Sequence, residues 1–324
     1  MSALPRIALV GSGQMGSMHA RVLAQSSACE FVRLIDRRPE AGQPVADRYE
    51  VAWAPEIDDL SDIDAVVIAA ATEAHYDIAK HVMALGKPLL VEKPLTPTYE
   101  QSAELVAESE QRDLPLVCGF LERYNPAIMT AKQFVQEVVQ VNAIRHSPFV
   151  PRIKTGVATD LLIHDVDLTI GFIGQEPSVV KGSFGFFHES SRENGSEDSA
   201  DATMTFPGGA LATISASRIS QRKVRQVSVL EVDRLIEIDL LRRDITIYRH
   251  VTDSLANQGV GYQQQTIIEI PTIVQSAEPL AAQLQHFLKL LETEDKEAII
   301  AERDAILPAH RVIDQATASA ATSV

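Results

Sequence analysis

The sequence predicts an α/β fold: an N-terminal doubly wound parallel sheet, then a C-terminal α+β domain built on an open, mostly antiparallel sheet. In the first third of the 324 residues, short apolar runs alternate with helical patterns, which is typical of a parallel sheet covered on both faces. Beyond about Asn125 the runs alternate in polarity, which is typical of strands with one buried face. We therefore expect two domains, 1–121 and 122–324, with the last helix able to return to the first.

The apolar runs give the elements of the first domain in chain order. Strands are predicted at Ile7–Val10, Phe31–Ile35, Ala65–Ala70, Leu89–Val91 and Leu116–Cys118. Helices are predicted between them at Met18–Ala24, Ile78–Leu85 and Glu100–Glu110. This βαβ order predicts that both faces of the sheet are covered by helices.

Alternating polarity gives the strands of the second domain. They are predicted at Thr203–Phe206, Leu211–Ser217, Val227–Val232, Leu235–Leu240 and Ile245–Tyr248. Helices are predicted at Leu161–Ile173, Leu280–Leu291 and Asp304–Ala318. The polar stretch Ser190–Ser199 is expected to be a mobile loop.

Composition and charge exclude several classes of partner. A formal net charge of -15 disfavours nucleic acid and anionic membrane, because phosphate groups are held by dense Lys and Arg. No apolar stretch approaches the roughly 20 residues that span a bilayer, and no secretory signal opens the sequence. Cys29 and Cys118 lack a Cys-x-x-Cys partner and are interpreted as reduced core residues. A cytoplasmic protein is expected.

A glycine motif follows the first predicted strand and opens the first helix. Its residues are Gly11, Ser12, Gly13, Gln14, Met15 and Gly16. In the pattern G-x-G-x-x-G the glycines turn tightly, admit a pyrophosphate and let the helix pack on the strand, while the helix N-terminus faces the phosphates. The position predicts a Rossmann dinucleotide site that uses Gly11, Gly13, Gln14, Met15 and Gly16.

Asp36 ends the second strand, about 20 residues beyond the motif, where a carboxylate accepts hydrogen bonds from the ribose of NAD and repels a 2′-phosphate. Its alternative role is a cap before Pro39. Arg37 and Arg38 qualify the preference, since either guanidinium can stack on adenine or bind a 2′-phosphate. NAD is the predicted cofactor, with NADP left open.

Two further strand ends are predicted to border the nicotinamide. After the predicted strand Ala65–Ala70, small residues lead to Ala71, Thr72 and His75, where the backbone can approach a ribose; a plain helix start capped by Thr72 is the alternative. Glu92 and Lys93 end the predicted strand that begins at Leu89, at the edge where open α/β sheets bind ligands. The bond before Pro94 is a candidate cis peptide, and a surface charge pair is the alternative for Glu92 and Lys93.

The predicted helix 161–173 is apolar on nearly every side, yet Asp160, His164, Asp165 and Asp167 lie on or beside it. Burying such groups is costly unless they are paired or used. Residues 160, 164 and 167 share one face at helical spacing. The alternatives are Asp160 as an N-cap, His164 as a satisfied core histidine, and Asp165 with Asp167 as an exposed stripe or metal site. No metal is predicted, because no second histidine cluster completes a ligand set.

In this order the motifs resemble the glucose-fructose oxidoreductase and inositol dehydrogenase (GFO/IDH/MocA) family over the whole chain. Gly119–Pro126 is similar to its crossover segment, and Asp160–Asp167 is similar to its catalytic helix. The resemblance implies a sheet-mediated homo-oligomer, a homodimer or homotetramer. It also implies catalytic roles for three residues: Lys93, Asp160 and His164.

The same roles follow from the side chains themselves. An NAD(P)-dependent dehydrogenase moves a hydride between a hydroxyl carbon and nicotinamide C4, so the hydroxyl proton must leave as well. His164 is the expected base because imidazole titrates near neutral pH. Lys93 is the expected donor to the developing alkoxide, and Asp160 orients the substrate or His164.

Substrates of this family are sugars, cyclic polyols and nucleotide sugars, so these are the expected partners. Glu122–Pro126 and Ser147–Ile153 resemble segments of UDP-N-acetylglucosamine 3-dehydrogenases, with Arg123, Tyr124 and Arg152 as expected substrate contacts. A cluster of basic residues is expected to bind a diphosphate or to form a solvated loop: Arg123, Arg145, His146, Arg152 and Lys154. Inositol or aldose oxidation and a non-catalytic NAD(P)-binding sensor are the alternatives.

Overall fold

The structure, a computed structural model, describes residues 4–150, 155–253, 263–273 and 278–321. The described residues divide into two compact units. The first takes Met1–Leu121 with Ala277–Arg311, and the second takes Glu122–Ser276 with Val312–Val324. Within the described ranges, every helix is too short or too polar to cross a membrane.

The first unit is built on six parallel strands. In chain order its elements are β1 (Arg6–Val10), α1 (Gln14–Gln25), β2 (Glu30–Ile35), α2 (Pro39–Tyr49), β3 (Ala52–Ala54), β4 (Ala65–Ile68), α3 (Thr72–Ala84), β5 (Leu89–Val91), α4 (Tyr99–Gln111) and β6 (Leu116–Cys118). The strand order is β3-β2-β1-β4-β5-β6. Central strands β4 and β5 are buried along their whole length. The predicted doubly wound parallel sheet is confirmed.

The second unit is built on an eight-stranded sheet. Its elements are a 3₁₀ turn (Leu121–Tyr124), α5 (Pro126–Ala131), β7 (Val138–His146), a π-helical turn (Ala158–Leu162), α6 (Ile163–Ile173), β8 (Val179–Gly185), α7 (Glu189–Asn194), β9 (Ser199–Thr205), β10 (Leu211–Ser217), β11 (Val224–Glu231), β12 (Arg234–Asp239), β13 (Asp244–Asp253) and β14 (Gln263–Glu269). The order is β14-β13-β12-β11-β7-β10-β9-β8, and β7 with β10 is the parallel pair. The predicted mostly antiparallel sheet is confirmed.

The stretch Ser190–Ser199, expected to be a mobile loop, is instead ordered around one carboxylate. Asp198 is fully buried and accepts the backbone N–H groups of Phe187 and His188. His188 then caps α7, which ends at Gly195 in the left-handed region (φ +63°). Part of the polar composition therefore reflects caps and a buried acceptor, while residues 192–195 are exposed.

The C-terminal helices divide the expected range 122–324. They are α8 (Pro279–Thr293), α9 (Lys296–Asp304) and α10 (Leu307–Ala321). Leu284 and Phe287 of α8 are buried in the same apolar cluster as Ile7 and Leu9 of β1. Because this burial removes a whole apolar helix face from water, residues 278–311 belong with the first sheet.

Candidate active site

The turn between β1 and α1 is shaped by three glycines with different roles. Gly11 has φ +99°, and a Cβ there would lie 2.6 Å from the carbonyl oxygen of Ala69. A Cβ at Gly16 would lie 2.1 Å from the carbonyl oxygen of Gly11. A Cβ at Gly13, the N-cap of α1, would meet nothing within 4 Å. Gly11 and Gly16 therefore permit close backbone packing, while Gly13 leaves room at a helix N-terminus suited to an anion.

A cavity of about 780 Å³ opens beside this turn within the first unit. Its walls are formed by Val10–Met15, Ile35–Arg38, Pro55–Ile57, Ala69–Ala71, Ala74, Asp77, Ile78 and His81. The predicted cofactor residues Gly13, Asp36 and Ala71 are among them. A glycine-lined helix start at one side and a carboxylate at the other suit the pyrophosphate and ribose of a dinucleotide.

Asp36 faces this cavity but is only 7% exposed. Its carboxylate accepts the backbone N–H of Ser12 at 2.9 Å, the Ser12 hydroxyl at 2.5 Å and the backbone N–H of Arg38 at 2.9 Å. Burial alone raises the pKa of Asp36, but the hydrogen bonds from Ser12 and Arg38 outweigh it and lower the pKa from 3.8 to about 2. The group is a fixed anion. It also caps the turn before Pro39 through the N–H of Arg38, although helix α2 itself begins after Arg38 without a side-chain cap.

The two arginines after Asp36 differ in their contacts. The guanidinium of Arg38 lies 3.3 Å from the Asp36 carboxylate, while Arg37 is an exposed wall of the cavity. The negative charge at the ribose end is thus partly balanced by Arg38. This pairing gives a structural basis for the ambiguity between NAD and NADP seen in the sequence.

His75 lies beneath the β4 edge rather than in the cavity. It is 1% exposed, with Nδ1 3.0 Å from the carbonyl oxygen of Pro94 and Nε2 3.2 Å from that of Ala70. Helix α3 starts at Thr72 with Ala71 as its N-cap and without a side-chain cap, so the alternative of a Thr72 cap is wrong. Ala71 is the exposed residue that lines the cavity here.

Lys93 follows β5 and is half-buried, and the Lys93–Pro94 bond is cis. Glu92 is buried: its Oε1 lies 2.7 Å from Nε2 of His19, and its Oε2 accepts the backbone N–H of Lys93 at 3.3 Å. A Cβ at Gly119 would lie 2.8 Å from Cα of Glu92. Glu92 therefore supports the segment from inside, and the alternative of a surface charge pair is wrong.

Asp160 of the second unit lies in the π-helical turn that precedes α6, and its carboxylate pairs with Nη2 of Arg218 at 3.1 Å. The Arg218 side chain is 4% exposed and also donates to the carbonyl oxygen of Thr155. Glu197 accepts the backbone N–H of Ala158 at 2.8 Å. Such turns recur at functional sites. The sequence pointed to Asp160 but not to Arg218 or Glu197, since neither lies in a motif.

The three residues predicted to share one face, 160, 164 and 167, differ in burial and in their partners. His164 lies half-buried in the first turn of α6, and Asp160 lies one turn before it. Asp167 is buried and forms a bidentate pair with Arg123, at 2.8 and 2.6 Å. Asp160 and His164 therefore remain the candidate pair of this helix, whereas Asp167 anchors it.

Asp165 is the second anchor of α6. Both of its oxygens accept from Arg145 at 2.8 Å, and Arg145 also donates to Glu122 at 2.9 Å. Burial raises the pKa of Asp165, and Arg145 opposes that rise.

The interpretation of Asp165 and Asp167 as an exposed stripe or metal site is wrong, because both carboxylates are buried and bound to arginine. In the described ranges, no group of three or more His, Cys, Asp or Glu is placed to hold a metal.

These pairs correct the expectation of an open basic cluster. Arg145 is fully enclosed with two carboxylates, and Arg123 is engaged with Asp167, so neither lies on a solvated basic loop. His146 contacts the hydroxyl of Ser215 through Nε2 at 3.2 Å. Arg152 and Lys154 lie outside the described residues. The described part of the cluster is neutralised internally, because buried guanidinium groups require partners.

Known families match both units of the chain. Residues 5–120 match the model described as oxidoreductase family, NAD-binding Rossmann fold, and residues 131–232 match the GFO/IDH/MocA C-terminal domain. A UDP-N-acetylglucosamine 3-dehydrogenase of Acidithiobacillus ferrooxidans is 30% identical over 88% of this chain and 88% of its own. An inositol 2-dehydrogenase of Rhizobium meliloti is 28% identical over 66% and 68%.

The solved structures agree with the sequence matches. A structure of the Acidithiobacillus ferrooxidans UDP-N-acetylglucosamine 3-dehydrogenase covers 98% of this chain and 99% of its own, at 27% identity and a TM-score of 0.84. The match therefore extends through both units. With the glycine turn, the Asp36 cavity and the family models in agreement, the chain belongs to the GFO/IDH/MocA oxidoreductase family and is an NAD-dependent dehydrogenase.

Proposed function

We propose that this dehydrogenase oxidises the C3 hydroxyl of UDP-N-acetylglucosamine, with NAD as the hydride acceptor. The observation that carries the proposal is the similarity to a dehydrogenase of that substrate through 88% of both chains. The matching structure of that relative covers nearly the whole chain, including the second unit. Inositols are the second candidate, supported by the 28% identical inositol 2-dehydrogenase.

We propose that the first unit binds the cofactor through the cavity walls. Backbone N–H groups at the start of α1 hold the pyrophosphate, and Asp36 accepts from the adenosine ribose. Ala71 and Lys93 lie nearer the nicotinamide in this assignment, while Gly16, Thr72, His75 and Glu92 shape the backbone around it. Bound NAD supplies an electrophilic ring carbon that takes the hydride.

We propose that three side chains carry the proton chemistry. His164 takes the substrate hydroxyl proton on its imidazole, since a neutral imidazole is a base near pH 7. Lys93 donates to the oxygen as negative charge develops on it. Asp160, aligned by Arg218, orients the substrate or His164. Tyr124 and Arg152 are the further substrate contacts of the proposal. Arg123 has an indirect role, because its ion pair with Asp167 anchors the helix that carries His164.

The first experiment measures formation of reduced nicotinamide by its absorbance. Purified protein with NAD, and separately with NADP, is offered UDP-N-acetylglucosamine, its uronate form, inositols and simple aldoses. Reduction with UDP-N-acetylglucosamine alone supports the proposal, whereas reduction only with inositols supports the second candidate. NAD binding without reduction by any of these sugars would indicate the sensor alternative.

A substitution separates the roles of cofactor binding and catalysis. Lys93→Ala is expected to lower kcat by about 10²–10³-fold, the usual loss for one donor to a developing oxyanion, while the Kd for NAD changes little. Lys289→Ala removes an exposed lysine of α8 and is the matched control. Unchanged turnover in Lys93→Ala, or a loss that saturating NAD restores, would contradict the assignment.

We further propose that the open sheet joins copies of this chain. A row of directly paired positions crosses all eight strands: Val179, Thr205, Leu211, Gln140, Leu230, Leu235, Tyr248 and Ile268. Four of them are exposed aliphatic residues: Val179, Leu211, Leu230 and Ile268. Exposed aliphatic residues spread across a whole sheet face are typical of a protein contact surface, and a homo-oligomer uses such a face in both copies.

A further inference from the structure

Three buried histidines converge on the four consecutive residues that contain Lys93. His19 of α1 contacts the side chain of Glu92, His75 of α3 contacts the carbonyl of Pro94, and His310 of α10 accepts the backbone N–H of Leu95. The three rings are 2%, 1% and 6% exposed, respectively. Together they form a clamp, defined here as His19, His75 and His310, around residues 92–95.

The clamp hydrogen-bonds backbone groups of Pro94 and Leu95 that have no partner within the sheet. Strand β5 ends at Val91; the N–H of Glu92 still donates to the carbonyl oxygen of Ile68 in β4, and beyond Glu92 the backbone leaves the ladder. Buried N–H and C=O groups that leave a ladder need other partners, because an unpaired one costs about as much as a lost hydrogen bond. The histidine rings supply these partners at 3.0 Å to Pro94 and 3.0 Å to Leu95.

The contacts of His310 fix which ring nitrogen carries the proton. Nε2 accepts the Leu95 N–H, so its lone pair is free of hydrogen. Nδ1 lies 2.8 Å from the carbonyl oxygen of Ile306 and must therefore be the donor. Phe120 packs edge-on against the ring, with centroids 5.7 Å apart. His310 thus acts on the segment as an acceptor.

His75 acts on the same segment in the opposite sense. Both of its nitrogens face carbonyl oxygens, Pro94 through Nδ1 and Ala70 through Nε2. Since a carbonyl oxygen only accepts, a hydrogen bond to Pro94 requires the proton on Nδ1, and this is the shorter of the two contacts, at 3.0 Å against 3.2 Å to Ala70. Because one histidine must donate and the other must accept, the clamp specifies hydrogen-bond direction as well as side-chain size.

We propose that His19, His75 and His310 are positioning residues for hydride transfer, which hold residues 92–95 and so fix the placement of the Lys93 amine. The inference rests on the proposed catalytic role of Lys93. Reacting groups must be held closely, since a misplacement of about 1 Å can cost roughly 10²-fold in rate. The support comes from α1, α3 and α10, three separate helices, which makes the segment rigid.

The opposite polarities of His75 and His310 provide the test. An asparagine amide lies near the Nδ1 position of histidine, and a glutamine amide lies near Nε2. His75→Asn keeps the donor to Pro94 and His75→Gln loses it. His310→Gln keeps an acceptor for Leu95 and His310→Asn loses it. The favourable substitution is therefore Asn at position 75 and Gln at position 310. If the two histidines only filled space, the same amide would be favoured at both positions.

Two measurements are made on the four variants of the full chain. Hydrogen exchange of the peptide spanning 89–98 is expected to accelerate about tenfold or more in His75→Gln and His310→Asn. It should stay near that of the unaltered protein in His75→Asn and His310→Gln. With NAD and UDP-N-acetylglucosamine, kcat is expected to fall about 10- to 100-fold in the first pair only, with the Kd for NAD within about threefold.

The outcomes separate this inference from the proposed function. Equal exchange and equal turnover in all four variants, with Lys93→Ala inactive, would overturn the clamp and leave the role of Lys93 intact. Faster exchange without loss of turnover would overturn its catalytic purpose. If UDP-N-acetylglucosamine is not oxidised at all, the substrate proposal fails, and the exchange pattern alone still supports or overturns the clamp.

Discussion

Asp36 has two roles: its carboxylate is hydrogen-bonded inside the protein, and it also faces a ligand cavity. As a turn cap it is bound by Ser12 and Arg38, and as a wall of the cavity it presents an anion to a ligand. The same hydrogen bonds that satisfy it inside the protein keep it ionised. One side chain therefore couples the stability of the first unit to the charge of the cofactor site.

That coupling predicts a dependence of stability on pH. Asp36 has a native pKa of about 2 against an ordinary 3.8, so it stabilises the fold above pH 4 by about 2 kcal/mol. Because the native pKa is the lower one, this contribution is lost as the pH falls from about 4 to 2. Asp36→Asn is expected to lower the free energy of unfolding at pH 7, with a deficit that shrinks by about 1 kcal/mol between pH 5 and pH 3.

Urea unfolding at several pH values measures that deficit. Asp58→Asn, a change at an exposed carboxylate, is the matched control and should show a small deficit at every pH. A deficit for Asp36→Asn that stays constant down to pH 3 would show that the hydrogen bonds do not hold Asp36 ionised.

Asp36 should also set the preference between cofactors. Asp36→Ala removes the charge that opposes a 2′-phosphate and releases the Arg38 guanidinium, so we expect the ratio of Kd values for NADP and NAD to fall by about tenfold, equivalent to about 1.4 kcal/mol. Fluorescence titration of both cofactors gives the ratio. Arg38→Ala is the control, since it leaves the carboxylate in place. An unchanged ratio in Asp36→Ala would reduce Asp36 to a turn cap.

At the scale of the element, α6 is held by ion pairs on two sides of His164. Asp165 binds Arg145, and Asp167 binds Arg123, each through two hydrogen bonds. A planar guanidinium gripping both carboxylate oxygens restrains rotation as well as translation. The helix that presents His164 is thus oriented by residues of β7 and the 3₁₀ turn.

Breaking the ion pair between Asp165 and Arg145 should lower the free energy of unfolding. Asp165→Asn leaves the fully buried Arg145 with Glu122 as its remaining anionic partner, and removing one partner of a buried pair costs roughly 3–5 kcal/mol. The loss is measured by urea unfolding. Asp201→Asn, an exposed change on β9, is the control. A double variant, Arg145→Met with Asp165→Leu, should recover part of the loss; equal stability of Asp165→Asn and the unaltered chain would mean that the pair does not anchor α6.

Two elements that were not predicted from the sequence, β7 and α2, can be explained by their residues. Strand β7 buries Val141 and Ala143, but its third inward position is Arg145, which breaks the alternation of apolar and polar residues. Helix α2 contains Gly42 and Pro44, both poor helix formers. In each case a contact made elsewhere in the fold overrides the local signal: Asp165 for Arg145, and the ring of Trp53 against Gly42.

At the scale of the whole molecule, the proposed contact between copies makes a direct prediction. Leu211→Glu with Leu230→Glu places two charges in the apolar row of the sheet and should shift the sedimentation profile towards a monomer, because burying an unpaired carboxylate is unfavourable. Gln226→Glu on β11, an exposed polar position, is the matched change. This face would be excluded as the contact if the unaltered chain is a monomer. It would also be excluded if the double leucine variant keeps the same assembly as the Gln226→Glu control.

The sequence by itself determined the two kinds of sheet, the NAD cofactor and the family. These depend on local patterns: strand periodicity, the glycine turn with Asp36 about 20 residues on, Glu92–Lys93–Pro94 at a strand end, and Asp160 with His164. Each can be recognised because its meaning lies in the spacing of neighbouring residues.

Only the tertiary structure decided which charges are used and which are paired. Arg145 and Arg123 looked like a site for phosphate and proved to be anchors of α6. Leu95 and His310 meet across 215 positions of the chain, and Asp160 and Arg218 across 58. The cost of burying a polar group depends on the partner it finds in the fold, and partners so distant in the chain leave no local pattern in the sequence.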